Sequence, residues 1–221
     1  MHVDRYALLR RWPRPDIGAL FLINGPSGVG KSTLVEALDK NIPSLVRSRS
    51  VTTRAPRENE QCTATNREFV TRATFGQLRE DGRLLEYTSM HDEWYGTLRE
   101  PILHDLQNRV SVIMEANNDG VDQVRAQIAD AVSVFILPPS IDALRKRLAD
   151  RETETAVQIE ERMRAGLAEM QHCNTYDYII MNNDFDVAYA ELEAIVIAEL
   201  ARTSRRGSLA GSFVEALIRH S

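Results

Sequence analysis

FLINGPSGVGKSTL, residues 21–34, carries an apolar stretch into a glycine-rich turn and out into the start of a helical pattern. Gly25 to Ser32 read GPSGVGKS, a complete GxxxxGK[ST] phosphate loop with a strand candidate before it and a helix candidate after it. Glycines let main-chain N–H groups turn inward around an anion, and a helix beginning near Lys31 points its positive end at the same place. Lys31 is expected to bridge the β- and γ-phosphates of a triphosphate, and Ser32 to set its hydroxyl on Mg²⁺. Gly25, Pro26, Ser27, Gly28, Val29, Gly30 and Thr33 complete the cradle. A purely structural glycine turn is the alternative. The loop holds a donor, but such loops serve ATPases, GTPases and small-molecule kinases alike, so it does not name an acceptor.

Outward from the loop, apolar runs alternate with helical patterns. ALFLI (19–23), VSVIM (110–114), AVSVFIL (131–137) and YDYIIM (176–181) read as buried strands. STLVEALD, EPILHDLQN, DGVDQVRAQI, SIDALRKRLADR, VQIEERMRAGLAEMQ and VAYAELEAIVIAELAR have spacing near 3.6, and Ser140 stands where an N-cap belongs. Strands alternating with helices imply right-handed crossovers, hence an α/β fold with a parallel sheet flanked by helices. Residues 45–97 break the rhythm with LVRSRSV, REFVT and RLLEYTS, a small helix TFGQLRED, and a polar turn HDE before WYGT. That segment reads as a small α+β insert with its own sheet. The core is then 19–44 and 98–201, preceded by a leader (1–18). A tail (202–221) follows, consisting of a basic, glycine/serine link and a short amphipathic helix bearing Leu209, Phe213 and Leu217. Packing of that helix on the domain or on a partner subunit is its plainest use, so a homo-oligomer is one possibility.

The bulk numbers exclude several classes. A net charge of -5 over 221 residues argues against general nucleic-acid binding, which needs a strongly basic surface. Of 27 basic residues only Lys31, Lys40 and Lys146 are lysine, and the rest are arginine, the side chain that grips phosphate with two parallel hydrogen bonds. Cys62 and Cys173 stand far apart, and no cysteine or histidine cluster has metal-ligand spacing. No signal sequence and no run long enough to cross a bilayer is found, so a cytoplasmic protein with no membrane partner is expected.

Four further blocks follow the loop in order: SRSVTTRAPR, LLEYTSMHDEWYGTLREPI, VFILPPSIDALRKRLADRETET and YDYIIMNNDFDVAYAEL. Together with the loop they resemble the guanylate kinases, P-loop nucleoside monophosphate kinases, from residue 19 to about 200. The resemblance implies ATP as phosphoryl donor, Mg²⁺ as cofactor and a guanine nucleotide as acceptor. It places Arg54 and Arg57 on the 5'-phosphate of GMP, with Ser50 supporting and Tyr95 beside them. Glu86 would accept hydrogen bonds from guanine N1–H and the 2-amino group, and Thr97 would meet O6. Adenine offers neither, so Glu86 is the expected specificity residue. A helical lid, about 147–160, would close over ATP and bring Arg147, Arg151 and Arg162 to the transferring phosphoryl group. An exposed polar turn for TTRAPR, a solvated strand-end glutamate for Glu86, and salt bridges on a solvated helix face for Arg147 and Arg151 are the plainer alternatives.

The chain departs from the family pattern around the acceptor. A tyrosine of the phosphate clamp is replaced by Arg67, and Asp92–Trp94 stand where glycine-asparagine-tyrosine is usual. Glu115 and Asn117 replace an aspartate pair, which leaves one carboxylate for hydrated Mg²⁺ and turns a nucleotide contact into an amide. Glu152 replaces a lid glycine. An altered guanine nucleotide, a ribose 1,5-bisphosphate acceptor, and a non-catalytic guanylate-kinase-like binding module therefore stand beside GMP phosphorylation as readings.

Overall fold

The computed structural model of the chain describes residues 15–42, 45–56, 66–90, 92–150 and 155–219, without the side chain of Leu209. In chain order its elements begin with β1 (Leu20–Asn24), α1 (Lys31–Asn41), β2 (Leu45–Arg47), β3 (Ser50–Thr52), β4 (Arg67–Phe69), α2 (Arg72–Glu80), β5 (Leu84–Met90) and β6 (Glu93–Leu98). They continue with α3 (Arg99–Gln107), β7 (Ser111–Glu115), α4 (Asn118–Arg125), β8 (Val132–Leu137), α5 (Ile141–Ala149), α6 (Ala156–Met170), β9 (Tyr178–Met181), α7 (Phe185–Leu200) and α8 (Thr203–Arg219).

Two sheets result. The first is fully parallel with order β2-β7-β1-β8-β9. Both faces of its central strands β7, β1 and β8 are covered, which is why these are continuous apolar runs rather than alternating ones, whereas on the edge strand β9 Ile180 is buried and Ile179 and Met181 are exposed. On one face Phe21, Ile23, Val134, Ile136 and Ile180 pack with Leu34, Val35 and Leu38 of α1 and Leu192 and Val196 of α7. On the other, Leu20, Leu22, Val112 and Met114 meet Ile102 and Leu106 of α3 and Val121 and Val124 of α4. Each such side chain contributes roughly 1.5–3 kcal/mol on burial. The second sheet is mixed, with order β4-β3-β6-β5. Its own small core joins Val51, Phe75 and Leu84 to Trp94. Leu85 of β5 instead belongs to the main core and ties this sheet to the body.

Three boundaries differ from the sequence reading. LVRSRSV is two strands in two sheets, because β2 pairs with β7 while β3 pairs with β4 and β6. The insert sheet therefore begins at Ser50, not near 45. The polar turn is shorter than expected: β6 already starts at Glu93, with Asp92 at φ 62 in the turn. The basic link of the tail is helical, since α8 runs unbroken from Thr203 to Arg219. Its start is tied down by Arg205, 3% exposed, which donates to the carbonyl oxygens of Gly18 and Asp130. Asp16 also accepts from the Ser208 N–H at 3.0 Å and from the Ser208 hydroxyl. Phe213 and Leu217, in the second half of α8, are more than half exposed. Ser140 caps α5 as expected, accepting from the Ala143 N–H at 3.1 Å. Among the described residues no helix is long and apolar enough to cross a membrane.

Candidate active site

The phosphate loop joins β1 to α1. Gly30 is the N-cap of α1 with φ 102, a left-handed conformation that L side chains rarely adopt. A Cβ there would also lie 2.5 Å from Asn182 Nδ2. The loop is held from behind through its carbonyls: Asn182 Nδ2 donates to the Val29 oxygen at 2.7 Å, and Arg147 Nη1 donates to the same oxygen at 3.2 Å. From the lid side Arg162 Nη1 donates to Ser27 Oγ at 3.0 Å. Gly166 of α6 approaches so closely that a Cβ would stand 2.9 Å from Pro26 Cβ. Lys31 Nζ donates to the Gly25 and Pro26 oxygens at 2.5 and 3.1 Å. Ser27, Gly28, Gly30, Lys31, Ser32, Thr33 and Glu115 line a cleft of about 190 Å³.

Opposite Ser32 stands Glu115 at the end of β7. The Ser32 hydroxyl donates to Glu115 Oε2 at 2.8 Å, and Arg47 Nη2 donates to Glu115 Oε1 at 2.6 Å. One hydroxyl and one carboxylate at the mouth of a phosphate cradle are the sparse, hard-oxygen donor set that suits Mg²⁺, which keeps several waters. The donor chemistry fits.

The second cluster sits on the insert sheet. Strand register places Ser50 beside both Arg67 and Thr97, and Glu86 beside Thr97. Arg67 Nε donates to Ser50 Oγ at 3.3 Å. Arg54 donates to the Ala55 oxygen, and its guanidinium lies 5.5 Å from the Phe69 ring centroid. Tyr95 is half-buried on β6, paired with Thr52. Glu86 is 6% exposed and accepts from the Thr97 hydroxyl at 2.7 Å. Burial raises its carboxyl to about 7, with the Thr97 hydrogen bond pulling the other way. A carboxylate so placed is not a solvated strand-end glutamate.

The two clusters meet at the β7–α4 junction. Glu115 reaches the phosphate loop, Asn117 reaches the insert, and Asn118 reaches the residue before Gly25. Asn117 caps α4 by accepting from the Gly120 N–H at 2.9 Å, while its amide donates to Thr88 Oγ1 at 3.2 Å. Asn24, 1% exposed, donates to Asn118 Oδ1 at 2.7 Å and to the Tyr176 hydroxyl at 2.6 Å. Tyr176 closes the triangle by donating to Asn118 Oδ1 at 2.8 Å, and Asn24 Oδ1 accepts from the Gly25 N–H at 2.7 Å.

The guanylate kinase family model matches residues 18–199. The chain is 42% identical over 191 residues to the guanylate kinase of Chromohalobacter salexigens, covering 86% of this chain and 88% of that protein. With the guanylate kinase of Nitrosococcus oceani it shares 39% over 202 residues, or 90% and 99% of the two chains. The chain belongs to the guanylate kinase family. The crystal structure of a guanylate kinase from Anaplasma phagocytophilum superposes with a TM-score of 0.69 at 28% identity, over 86% of this chain and 90% of that one.

Within this member of the family, the expected site residues divide. Gly25 to Thr33, Arg162 and Glu115 gather at the donor cleft, and Ser50, Arg67, Glu86, Tyr95 and Thr97 share the insert sheet. Arg147 stands apart from the expectation that it reaches the transferring phosphoryl group: its guanidinium donates to the Val29 and Asn182 oxygens, on the carbonyl side of the loop. It is therefore not a partner in a solvated salt bridge either. Arg57, Arg151, Glu152 and Cys62 lie outside the described residues, and with them the expectation that Arg147 and Arg151 share a helix face.

Sequence reasoning missed Asn24, Arg47, Asn118, Glu169, Tyr176 and Asn182. Asn24 could have been flagged, since a buried strand that ends in a polar residue immediately before a phosphate loop needs a partner for it. Glu169, near the end of α6, is pushed up by burial, while the Lys31 ammonium works against that. Its place in an amphipathic helix gave no signal.

Proposed function

We propose that the chain transfers the γ-phosphoryl group of ATP to GMP. The observation that carries this is Glu86, a carboxylate buried beside Thr97 at the edge of a sheet that also bears Ser50 and Arg67. A buried carboxylate held by a hydroxyl costs stability unless a ligand brings further donors, and guanine N1–H and its 2-amino group are two donors on one edge. As they arrive they replace the Thr97 hydroxyl on Glu86, which frees that hydroxyl for O6. Ribose 1,5-bisphosphate has no such edge to satisfy the carboxylate.

In this reading Ser50, Arg54, Arg57 and Arg67 hold the acceptor phosphate, with Tyr95 beside it. The phosphate loop and Lys31 hold the donor. Ser32 and Glu115 would hold Mg²⁺, which supplies charge neutralisation on the donor phosphates. An acceptor phosphate oxygen is already anionic, so no side chain need take a proton from it. Positioning and the charges of Lys31, Arg162 and Arg151 lower the barrier. Arg147 acts one step back, fixing the loop through Val29 and joining it to Asn182.

A coupled assay with ATP, Mg²⁺ and a panel of GMP, dGMP, IMP, AMP and ribose 1,5-bisphosphate tests the assignment. GMP and dGMP are expected to turn over, IMP weakly, AMP and the bisphosphate negligibly. Turnover of ribose 1,5-bisphosphate in preference to GMP would overturn it.

A further inference from the structure

β5 is an edge strand, and an edge leaves main-chain groups without strand partners. Successive residues of a strand aim their backbone N–H and C=O groups to opposite sides, so residues 85 and 87 face the edge while Glu86 pairs inward with Thr97. Helix α4 and the turn just after it occupy that edge with two glutamines four residues apart, Gln123 in the helix and Gln127 past its end. Gln123 Oε1 accepts from the Tyr87 N–H at 3.1 Å, and Gln123 Nε2 donates to the Tyr87 oxygen at 2.9 Å. One side-chain amide thus makes both bonds that a neighbouring strand residue would make. Gln127 Nε2 donates to the Leu85 oxygen at 2.7 Å. The residues on either side of Glu86 are both pinned, Tyr87 to α4 and Leu85 to the turn that follows it, and α4 also lies against the carboxylate itself, since a Cβ on Gly120 would stand 3.0 Å from Glu86 Oε2.

We propose that Gln123 is a positioning residue for the acceptor base: by acting as a surrogate strand for Tyr87 it fixes where the Glu86 carboxylate stands, and so sets affinity and selectivity for a guanine edge it never touches. The inference rests on the proposed GMP reading. Its logic is geometric, because α4 starts at the junction that also carries Glu115 and Asn117. Pinning β5 to α4 keeps the base-reading carboxylate in register with the groups at the donor cleft. Tyr87 is itself held from the other direction, with its ring 6.2 Å from that of Trp94 and 6.0 Å from the Arg79 guanidinium. These bonds are partly exposed, so their loss shifts position more than it shifts global stability.

The experiment compares the wild type with Gln123→Ala, Gln123→Met and Gln123→Glu in the full chain. Steady-state kinetics, GMP titration calorimetry and thermal melts are the readouts. Ala and Met, the latter keeping the length of the side chain, are expected to raise the KM and Kd for GMP about tenfold and to narrow the preference for GMP over IMP. The KM for ATP and the melting temperature should stay close to wild type. Glu keeps only the acceptor for the Tyr87 N–H and should fall between. An unchanged GMP constant in both Ala and Met, or a parallel rise for ATP, would overturn the inference while leaving the GMP reading intact. A wild type that does not turn over GMP would overturn both.

Discussion

In the proposed reading the donor and acceptor clusters recognise phosphate by different means. At the donor loop the groups offered to a ligand are main-chain N–H groups of one contiguous stretch, Gly25 to Thr33, backed by β1 and by the buried Leu34, Val35 and Leu38 of α1. At the acceptor the groups are side chains from β3, β4, β5 and β6, assembled by a four-stranded sheet whose own core is small. Backbone recognition is insensitive to most side-chain changes, whereas a side-chain clamp can be retuned one residue at a time.

The largest break in this comparison is expected from Lys31→Ala. It removes the one side-chain cation in the loop and should lower kcat about 10²–10³-fold in the coupled assay, with GMP affinity by calorimetry unchanged. Near-complete persistence of turnover would refute the role given to the lysine. Glu86→Gln should act on the other half alone, lowering kcat/KM for GMP about 10²–10³-fold while leaving the KM for ATP within about twofold. A parallel loss in both constants would show that the halves are not separable.

The elevated Glu86 carboxyl sharpens this further, and its sign can be worked out. Its folded value of about 7 exceeds the ordinary carboxylate value, so the folded state binds the proton more tightly than the unfolded state does. The stability that follows is fully present below the ordinary value near 4.5 and is lost as pH rises through about 7. The ligand-free Glu86→Gln protein should therefore melt higher than wild type at pH 8 and lose that advantage at pH 5. GMP needs the ionised form, so its KM should rise as pH falls below about 7, approaching tenfold per unit, while that for ATP stays flat. A flat GMP profile between pH 6 and 8 would remove Glu86 as the base reader.

The smallest effect is expected at the junction. Tyr176→Phe deletes a half-buried hydroxyl that bonds both Asn24 and Asn118, and should cost about 1–2 kcal/mol in denaturant unfolding with only a few-fold loss in kcat. A loss as large as that of Lys31→Ala would mean that the two halves are coupled through this triangle rather than merely held by it.

The loop was legible because its function is written in local backbone: glycines at fixed spacing, an apolar strand before and a helix after. The parallel sheet was legible for the same reason, since β1, β7, β8 and β9 are continuous apolar runs. The acceptor residues were reached only through resemblance. Nothing in the neighbourhood of Glu86 distinguishes it from a surface glutamate until β6 brings Thr97 beside it. The division of LVRSRSV between two sheets was not legible either, because three-residue strands carry too little periodicity to choose a partner.

The chain alone determined that a glycine-rich phosphate-loop motif would join a strand to a helix at residues 25–32, within a parallel α/β core, because both depend on local spacing and on runs of apolar residues. Only tertiary structure decided that Arg47 would bond Glu115, that Arg147 would grip the loop from behind, and that two glutamines would complete the edge beside Glu86. Those outcomes depend on contacts between residues 36 to 118 positions apart, and sequence spacing holds no information about which of many polar side chains will meet across such a distance.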